Sequence, residues 1–263
     1  MPASYTHFRF GRDVLSLLPP ERKHSALLHR GLFDIGLHGP DIFFFYQPYR
    51  SNPISALGYR MHGETGRQVF HRLQLLRDKL ASAEAQAYLD GFLCHFVLDT
   101  VCHPYIDHIA ASTPISHTRL EMELDRAFLV RDGLDPLRQP LAGHIRPTAG
   151  NTAVIASLIP DVTAHQVEQA LKQMIAYDRL LLAPGKPKRT ALNGVFRLIG
   201  QEEAFGGRIM SVQPRAACVP MAARLQQHYD KALPLAVELL LQLPDLSHPQ
   251  FALDFGGVSP EVV

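Results

Sequence analysis

His95, Asp99 and His103 recur at four-residue intervals in the most apolar stretch of the chain, SAEAQAYLDGFLCHFVLDTVCH. Residues four apart on a helix are neighbours, with Cβ atoms roughly 5–6 Å apart, so one stripe presents imidazole, carboxylate and imidazole. A carboxylate in so apolar a helix is costly to bury without a partner. A divalent cation removes that cost by coordinating it; the plainer alternative is an Asp99–His95 hydrogen bond in an ordinary core. His117 and Glu121 repeat the spacing at the start of the next helical run. Such a pair converges on one point from one helix face and is a frequent zinc pair, and also a frequent surface pair. Upstream, His38-Gly39-Pro40-Asp41 sets a carboxylate on a rigid turn, whose plainer role is an Asx turn or a cap. His62, in Tyr59-Arg60-Met61-His62-Gly63, lies beside an apolar helical stripe, where a satisfied core histidine is the ordinary reading. His7, in THFRFGRDVL, stands just before the first helical run and by itself carries no meaning.

Composition frames these residues. The 263 residues carry 26 Lys and Arg against 25 Asp and Glu, a formal charge of +1. That balance excludes a whole-chain basic footprint for duplex nucleic acid or anionic membranes. With 19% charged and 46% hydrophobic residues, the chain is globular and not disordered. Histidine is the outlier, 14 copies against 8 tyrosines and no tryptophan, which points towards metal binding. Cys94 and Cys102 lie eight residues apart in one helical run, so their Cα atoms are ~12 Å apart, too far for a disulfide. With Cys218 remote, inert buried thiols in a reducing compartment are expected. The start of the chain has no secretory-signal pattern, and no stretch reaches the ~18 apolar residues of a membrane span. A cytoplasmic protein with no stable membrane anchor is predicted.

The elements that must position these side chains are helical almost throughout. Apolar periodicity predicts helices over 10–18, 21–37, 54–80, 82–103, 116–131, 150–158, 163–180, 188–199 and 216–242, with Pro104 ending the fourth. Asp41–Pro48 reads as a buried loop or helical turn, Ala183–Lys188 as a loop and Gly206-Gly207 as a turn. The fold class is all-α: a single helical domain over 1–243 and a Pro- and Gly-punctuated surface tail over 244–263. His24, His29 and His71 belong to solvated faces; His144, His165, His228 and His248 lack a partner at ligand spacing. Arg119 and Asp125 flank His117 and suit either outer support of a ligand or an exposed helical ion pair.

The order His7, Asp41, His62, His95-x3-Asp99, a further histidine and His117-x3-Glu121 resembles the zinc-dependent phospholipase C family and the related single-strand-specific zinc nucleases, over residues 1 to about 131. The resemblance implies a multi-helix bundle of the phospholipase C/nuclease type with a cluster of zinc ions. In it Asp41, His62, His95 and Asp99 hold one zinc; Asp99 bridges to a second that His7 also binds; a downstream histidine joins His117 and Glu121 on a third. The family usually has five residues between the bridging aspartate and the next histidine. Here three separate Asp99 from His103 and eight separate it from His108; His103 fits the helical stripe and is preferred. Secreted members use an N-terminal tryptophan amine as a ligand, and this chain has no tryptophan, so two or three zinc ions are expected. The implied activity is zinc-dependent hydrolysis of a phosphoric ester, a metal-activated water attacking a small-molecule or lipid phosphodiester with Asp41 as general base. The alternative is a non-catalytic, metal-stabilised helical binding module stapled through His95, Asp99, His117 and Glu121. A nucleotide-directed helical metallophosphohydrolase would use an adjacent His-Asp pair, which the sequence lacks. The oligomeric state is left open.

Overall fold

The computed structural model describes residues 4–198, 200 and 207–259; Gly206 of the expected Gly206-Gly207 turn lies outside them. The described residues form eleven α-helices and three short 3-10 turns, with no strand among them. The all-α fold is as the apolar periodicity predicts. The helices are α1 (Ser4–Leu17), α2 (Pro20–Leu28), α3 (Arg30–Gly36), α4 (Pro53–Gly63), α5 (Gly66–Leu80), α6 (Ala83–Ser112), α7 (His117–Arg131), α8 (Ala149–Leu158), α9 (Ala164–Leu181), α10 (Lys186–Leu198) and α11 (Val219–Gln242). Among the described residues, no helix is long and apolar enough to cross a membrane.

The chain divides into two compact units of discontinuous segments. The α7 unit holds the described residues up to Thr6 with Tyr105–Gly143 and Ile175–His228. The histidine-rich unit holds His7–Pro104, His144–Met174 and the described residues from Tyr229 onward.

Local chemistry moves several boundaries from their predicted places. Helix α1 starts at Ser4, so His7 lies inside it, not ahead of it. Its first-turn N–H groups on Tyr5 and Thr6 donate to the Asp125 carboxylate at 3.3 and 2.7 Å; a carboxylate there is favoured by the helix dipole. The single run expected over 21–37 breaks at His29, whose φ of −110° and ψ of 44° are not helical. The run expected over 54–80 is split because Thr65 opens α5 with a capping box to Gln68. Pro104 does not end α6, which continues to Ser112. A helical proline removes one backbone donor without forbidding the helix where packing holds it.

In the histidine-rich unit, α6 is the central element, buried without a break from Ala87 to Thr100. Phe92 and Phe96 stack edge-on against Phe70 of α5, with ring centroids 5.8 and 5.4 Å away. The segment after Pro244, expected at the surface, buries Phe251 and Phe255 completely. Phe251 lies parallel to Phe96 at 5.9 Å, and Gln250 donates to the Thr100 hydroxyl at 2.5 Å. Two aromatic residues between turn formers make no periodic signal, yet bury as much apolar surface as a helical stripe. In the α7 unit, α10 turns Phe196 into a small core with Leu181, Ala183 and Ile209. All three cysteines are buried.

Gly36 and Gly91 let α3 and α6 cross in backbone contact: a Cβ on Gly91 would lie 2.2 Å from the Phe33 carbonyl oxygen, and one on Gly36 would lie 2.3 Å from the Tyr88 carbonyl oxygen. Gly91→Ala is therefore expected to destabilise by about 1–3 kcal/mol through overpacking, against the ~1 kcal/mol that alanine gains as a helix former. Gly194→Ala in α10, where a Cβ meets nothing within 4 Å, is expected to stabilise. Thermal melts of both variants check the pair; Gly91→Ala melting at or above the parent temperature contradicts this crossing.

Candidate metal centre

Four elements of the histidine-rich unit converge on one place. Helix α6 supplies His95, Asp99 and His103 on one stripe: His95 Nε2 lies 3.1 Å from Asp99 Oδ2, and His103 Nε2 lies 3.5 Å from Asp99 Oδ1. Helix α1 brings His7, whose Nε2 is 3.2 Å from Asp99 Oδ1 and whose ring stacks on His95 at 4.5 Å. The 3-10 turn Gly39–Phe45 carries Asp41. Its first residue, Gly39, has φ +48°, and a Cβ there would lie 2.2 Å from the His95 ring. Only glycine takes that conformation readily and lets the turn rest on the imidazole, which explains the Gly-Pro-Asp triplet. The last turn of α4 presents His62, with Nε2 2.9 Å from Asp41 Oδ1. Two donor groups result, each with ligand atoms within 4.8 Å of one another: His7, His95 and Asp99, and Asp41, His62 and His95.

Charge makes this arrangement unusual. Asp99 and Asp41 are buried. Burial alone would push both carboxyls up. His103, His95 and His7 outweigh it and hold Asp99 well below the usual carboxylate range; His95 and His62 hold Asp41 down likewise. Burial pulls His62 down in turn, but the Asp41 carboxylate more than offsets it and the imidazole is raised. His62 Nδ1 is 2.8 Å from the Gly58 carbonyl, a contact that requires the proton on Nδ1. In the neutral ring the Nε2 lone pair then faces a carboxylate oxygen, acceptor against acceptor. Positive charge must stand there, as a second ring proton or as a cation taking both lone pairs. His95 has 0% exposure, and neither of its ring nitrogens makes a hydrogen bond, since the approach of Nε2 to Asp99 is close but misaligned. A buried polar group left unmet costs about 1–3 kcal/mol, which coordination through a ring nitrogen would remove. Imidazole and carboxylate donors in this density are what zinc takes, and a ligand histidine anchored through its other nitrogen, as His62 is on Gly58, is the usual outer arrangement. The residues fit the ion.

In the α7 unit, Ser116 caps α7 and His117 opens it. His117 Nε2 is 3.3 Å from Glu121 Oε1, and Nδ1 is 2.7 Å from Asp107 Oδ1. Burial pulls this imidazole down; Glu121, helped by Asp107, overrides it and raises it to about 9. Asp107 was not legible in the sequence, because it precedes His117 by ten residues across a helix end and shares no period with it. Arg119 and Asp125 are buried, which removes the exposed-pair reading. Arg119 donates to the Ile209 carbonyl and the Ser211 hydroxyl, both at 3.3 Å. Asp125 is the acceptor at the head of α1; burial pushes its carboxyl up to about 7 against the donors of Thr6 and Tyr5.

Other histidines resolve differently. His144, expected to lack a partner, sits with its Nε2 2.7 Å from His38 Nε2 and stacks on Phe8 at 4.2 Å. Burial holds His38 well below its ordinary value and brings His144 to about 3, so both rings are neutral and one donates to the other. The partners are 106 positions apart, beyond any local pattern. His108, the alternative to His103, is exposed, as are His24 and His71. Phe255 lies 5.2 Å from the His62 ring and 5.9 Å from His95, so the carboxyl-terminal segment closes one side of the centre.

Residues 6–178 match the family described as zinc dependent phospholipase C. That span holds His7, Asp41, His62, His95, Asp99, His103, His117 and Glu121. No curated protein and no solved structure gives a significant match.

Each imidazole must be neutral to donate its lone pair, so zinc and protons compete. His62 and His117 bind their protons more tightly than a free histidine, and zinc uptake by the metal-free protein is expected to release protons at neutral pH, read by calorimetry in two buffers of different ionisation enthalpy. The raised His117 value gives the metal-free chain stability that is complete below about pH 6.5 and is lost as pH rises through about 9. Denaturation of EDTA-treated protein across that window is expected to show the loss, and Glu121→Gln to flatten it. A flat profile in the parent protein would contradict the His117–Glu121 pairing.

Proposed function

Because the chain belongs to the zinc-dependent phospholipase C family, we propose that it is a zinc-dependent phosphoric ester hydrolase that cleaves a phosphodiester with two or three bound ions. The observation that carries this reading is the buried pair of ionised carboxylates, Asp41 and Asp99, packed among His7, His62, His95 and His103. Asp41, His62, His95 and Asp99 would hold one zinc, and Asp99, with imidazoles near both oxygens, would share a second with His7. His103 adds a nitrogen donor beside Asp99, while His117 and Glu121 supply two donors of a further ion in their own unit. Zinc held there supplies a lowered pKa to the attacking water and positive charge opposite the phosphoryl oxygens.

The chain's own groups do the rest. Asp41, held ionised by its imidazole neighbours, takes the proton of the attacking water as general base. The Gly39 turn keeps its carboxylate from swinging away, since the turn lies directly on the His95 ring. The Gly58 carbonyl fixes the tautomer and plane of His62. Phe255 and Phe44, 5.2 Å from the His62 ring on centroids, exclude water from its flanks, which strengthens every charge interaction inside. The substrate class is a lipid or small-molecule phosphoester; the family's name favours the lipid.

Purified protein is expected to carry zinc and to hydrolyse a chromogenic phosphodiester until EDTA is added. Asp99→Ala should lose both zinc and activity, whereas Asp41→Asn should lower kcat by about 10²–10⁴-fold while retaining more of the zinc. An active, metal-free Asp99→Ala protein would refute the proposal. Firmly held zinc with no hydrolysis of any phosphoester would replace it with the metal-stapled binding module.

A further inference from the structure

Helices α4 and α5 and the residues at the end of α8 enclose a groove of about 250 Å3 within the histidine-rich unit. Its floor is apolar: Leu57 and Met61 of α4, Val69 and Leu73 of α5, and Leu158 and Ile159 are all buried. Along its lip α5 turns Leu75 outward, 51% exposed. Four charged side chains complete the rim. Arg60 and Asp161 pair with each other at 2.8 Å, and Arg72 pairs with Glu64. Lys79, exposed in the last turn of α5, makes no hydrogen bond or ion pair with a described residue. The carboxylate next to it in sequence, Asp78, is taken by Arg77 at 2.7 Å.

Charge and size together select the occupant. The two arginines are balanced by Asp161 and Glu64, which leaves Lys79 as one uncompensated cation on the rim. A lysine lays its methylene stem on apolar surface and keeps its ammonium in water, so an anion paired with it stays at the mouth while the apolar body it carries lies inside. Val69 and Lys79 both line the groove, and ten residues of helix separate them, so it follows α5 for ~15 Å. An apolar cavity of ~150 Å3 already holds a benzene ring, and this larger, longer space has room for a stretch of alkyl chain. Thirteen residues line it, fewer than the roughly 20–30 a side of a stable protein interface. One chain with one negative head matches both the dimensions and the charge.

We propose that this groove is a binding site for a long-chain fatty acid, its alkyl chain lying along α5 over the buried floor and its carboxylate at Lys79. Burial of the chain supplies the affinity, and Lys79 sets which end stays in water. A fatty acid carries no phosphoester, and the lining includes none of the residues assigned to the metal ions. The site therefore stands or falls apart from the hydrolase reading.

Calorimetric titration of the zinc-loaded full chain tests it, with octanoate, decanoate and dodecanoate, each below the concentration at which it forms micelles. Affinity should rise about fourfold per added methylene, and decanoate should bind more tightly than decyltrimethylammonium. Leu75→Asp should weaken decanoate binding about tenfold, and Lys79→Glu should reverse the preference between the two head groups; both positions are exposed, and zinc content and circular dichroism should stay unchanged. Affinity independent of chain length, or a head-group preference that Lys79→Glu leaves in place, would overturn the proposal. So would decanoate binding that is undiminished in Leu75→Asp and lost on EDTA treatment, which would put the carboxylate on the metal ions. Absence of binding by any of the acids would overturn it as well, and a dimer in analytical ultracentrifugation that Leu75→Asp splits would then give the groove to a second copy of this chain.

Discussion

Two carboxylates, Asp41 and Asp99, are sealed from water and kept ionised by the imidazoles around them. Taking such charges out of water costs several kcal/mol each unless compensating charge stands beside them. Imidazoles compensate only when protonated, and protonated imidazoles packed as closely as His7 on His95 would repel one another. A bound divalent cation would resolve both problems: it would leave the rings neutral, use their lone pairs, and supply the charge the carboxylates need. The rest of the histidine-rich unit can be understood as the framework that makes this concentration of donors tolerable.

That framework is stiff where it must be. His95, Asp99 and His103 share one long helix, so their spacing cannot drift without breaking α6, and the buried run from Ala87 to Thr100 leaves that helix no freedom to turn. The remaining donors arrive from separate elements, each pinned by something other than the donor itself. Asp125 holds the first turn of α1, just ahead of His7. Gly39 lets the Asp41 turn lie against His95. The Gly58 carbonyl sets His62. Preorganisation of this kind separates a site that holds metal in reactive geometry from one that merely collects it.

Neighbouring residues at the start of α7 face different surroundings. His117 is drawn between two carboxylates, Glu121 and Asp107, a place for a cation. Ser116, the residue before it, and Arg119, two residues after it, line a polar cavity. Around a helix, residues this close in sequence point in different directions, so one segment can face both.

Local rules sufficed for much of this. The 3.6-residue apolar period identifies helices, and the four-residue spacing places His95, Asp99 and His103 on one stripe and His117 beside Glu121, because both follow from the geometry of a single helix. The rest depends on segments distant in sequence. Where a helix ends was decided by packing at Pro104 and by the Asp125 carboxylate at Ser4–Thr6; that Phe251 and Phe255 belong to the core was decided by their meeting α6 aromatics. Asp107 as the partner of His117, and His144 as that of His38, were decided by chain closure that no window of sequence contains. The amino-acid sequence alone determined the helices and the kinds of ligand atom they carry. Tertiary structure alone decided which of those atoms meet, because that depends on the angles at which rigid helices cross, set by contacts such as Gly36 against Gly91 and spread over the whole chain.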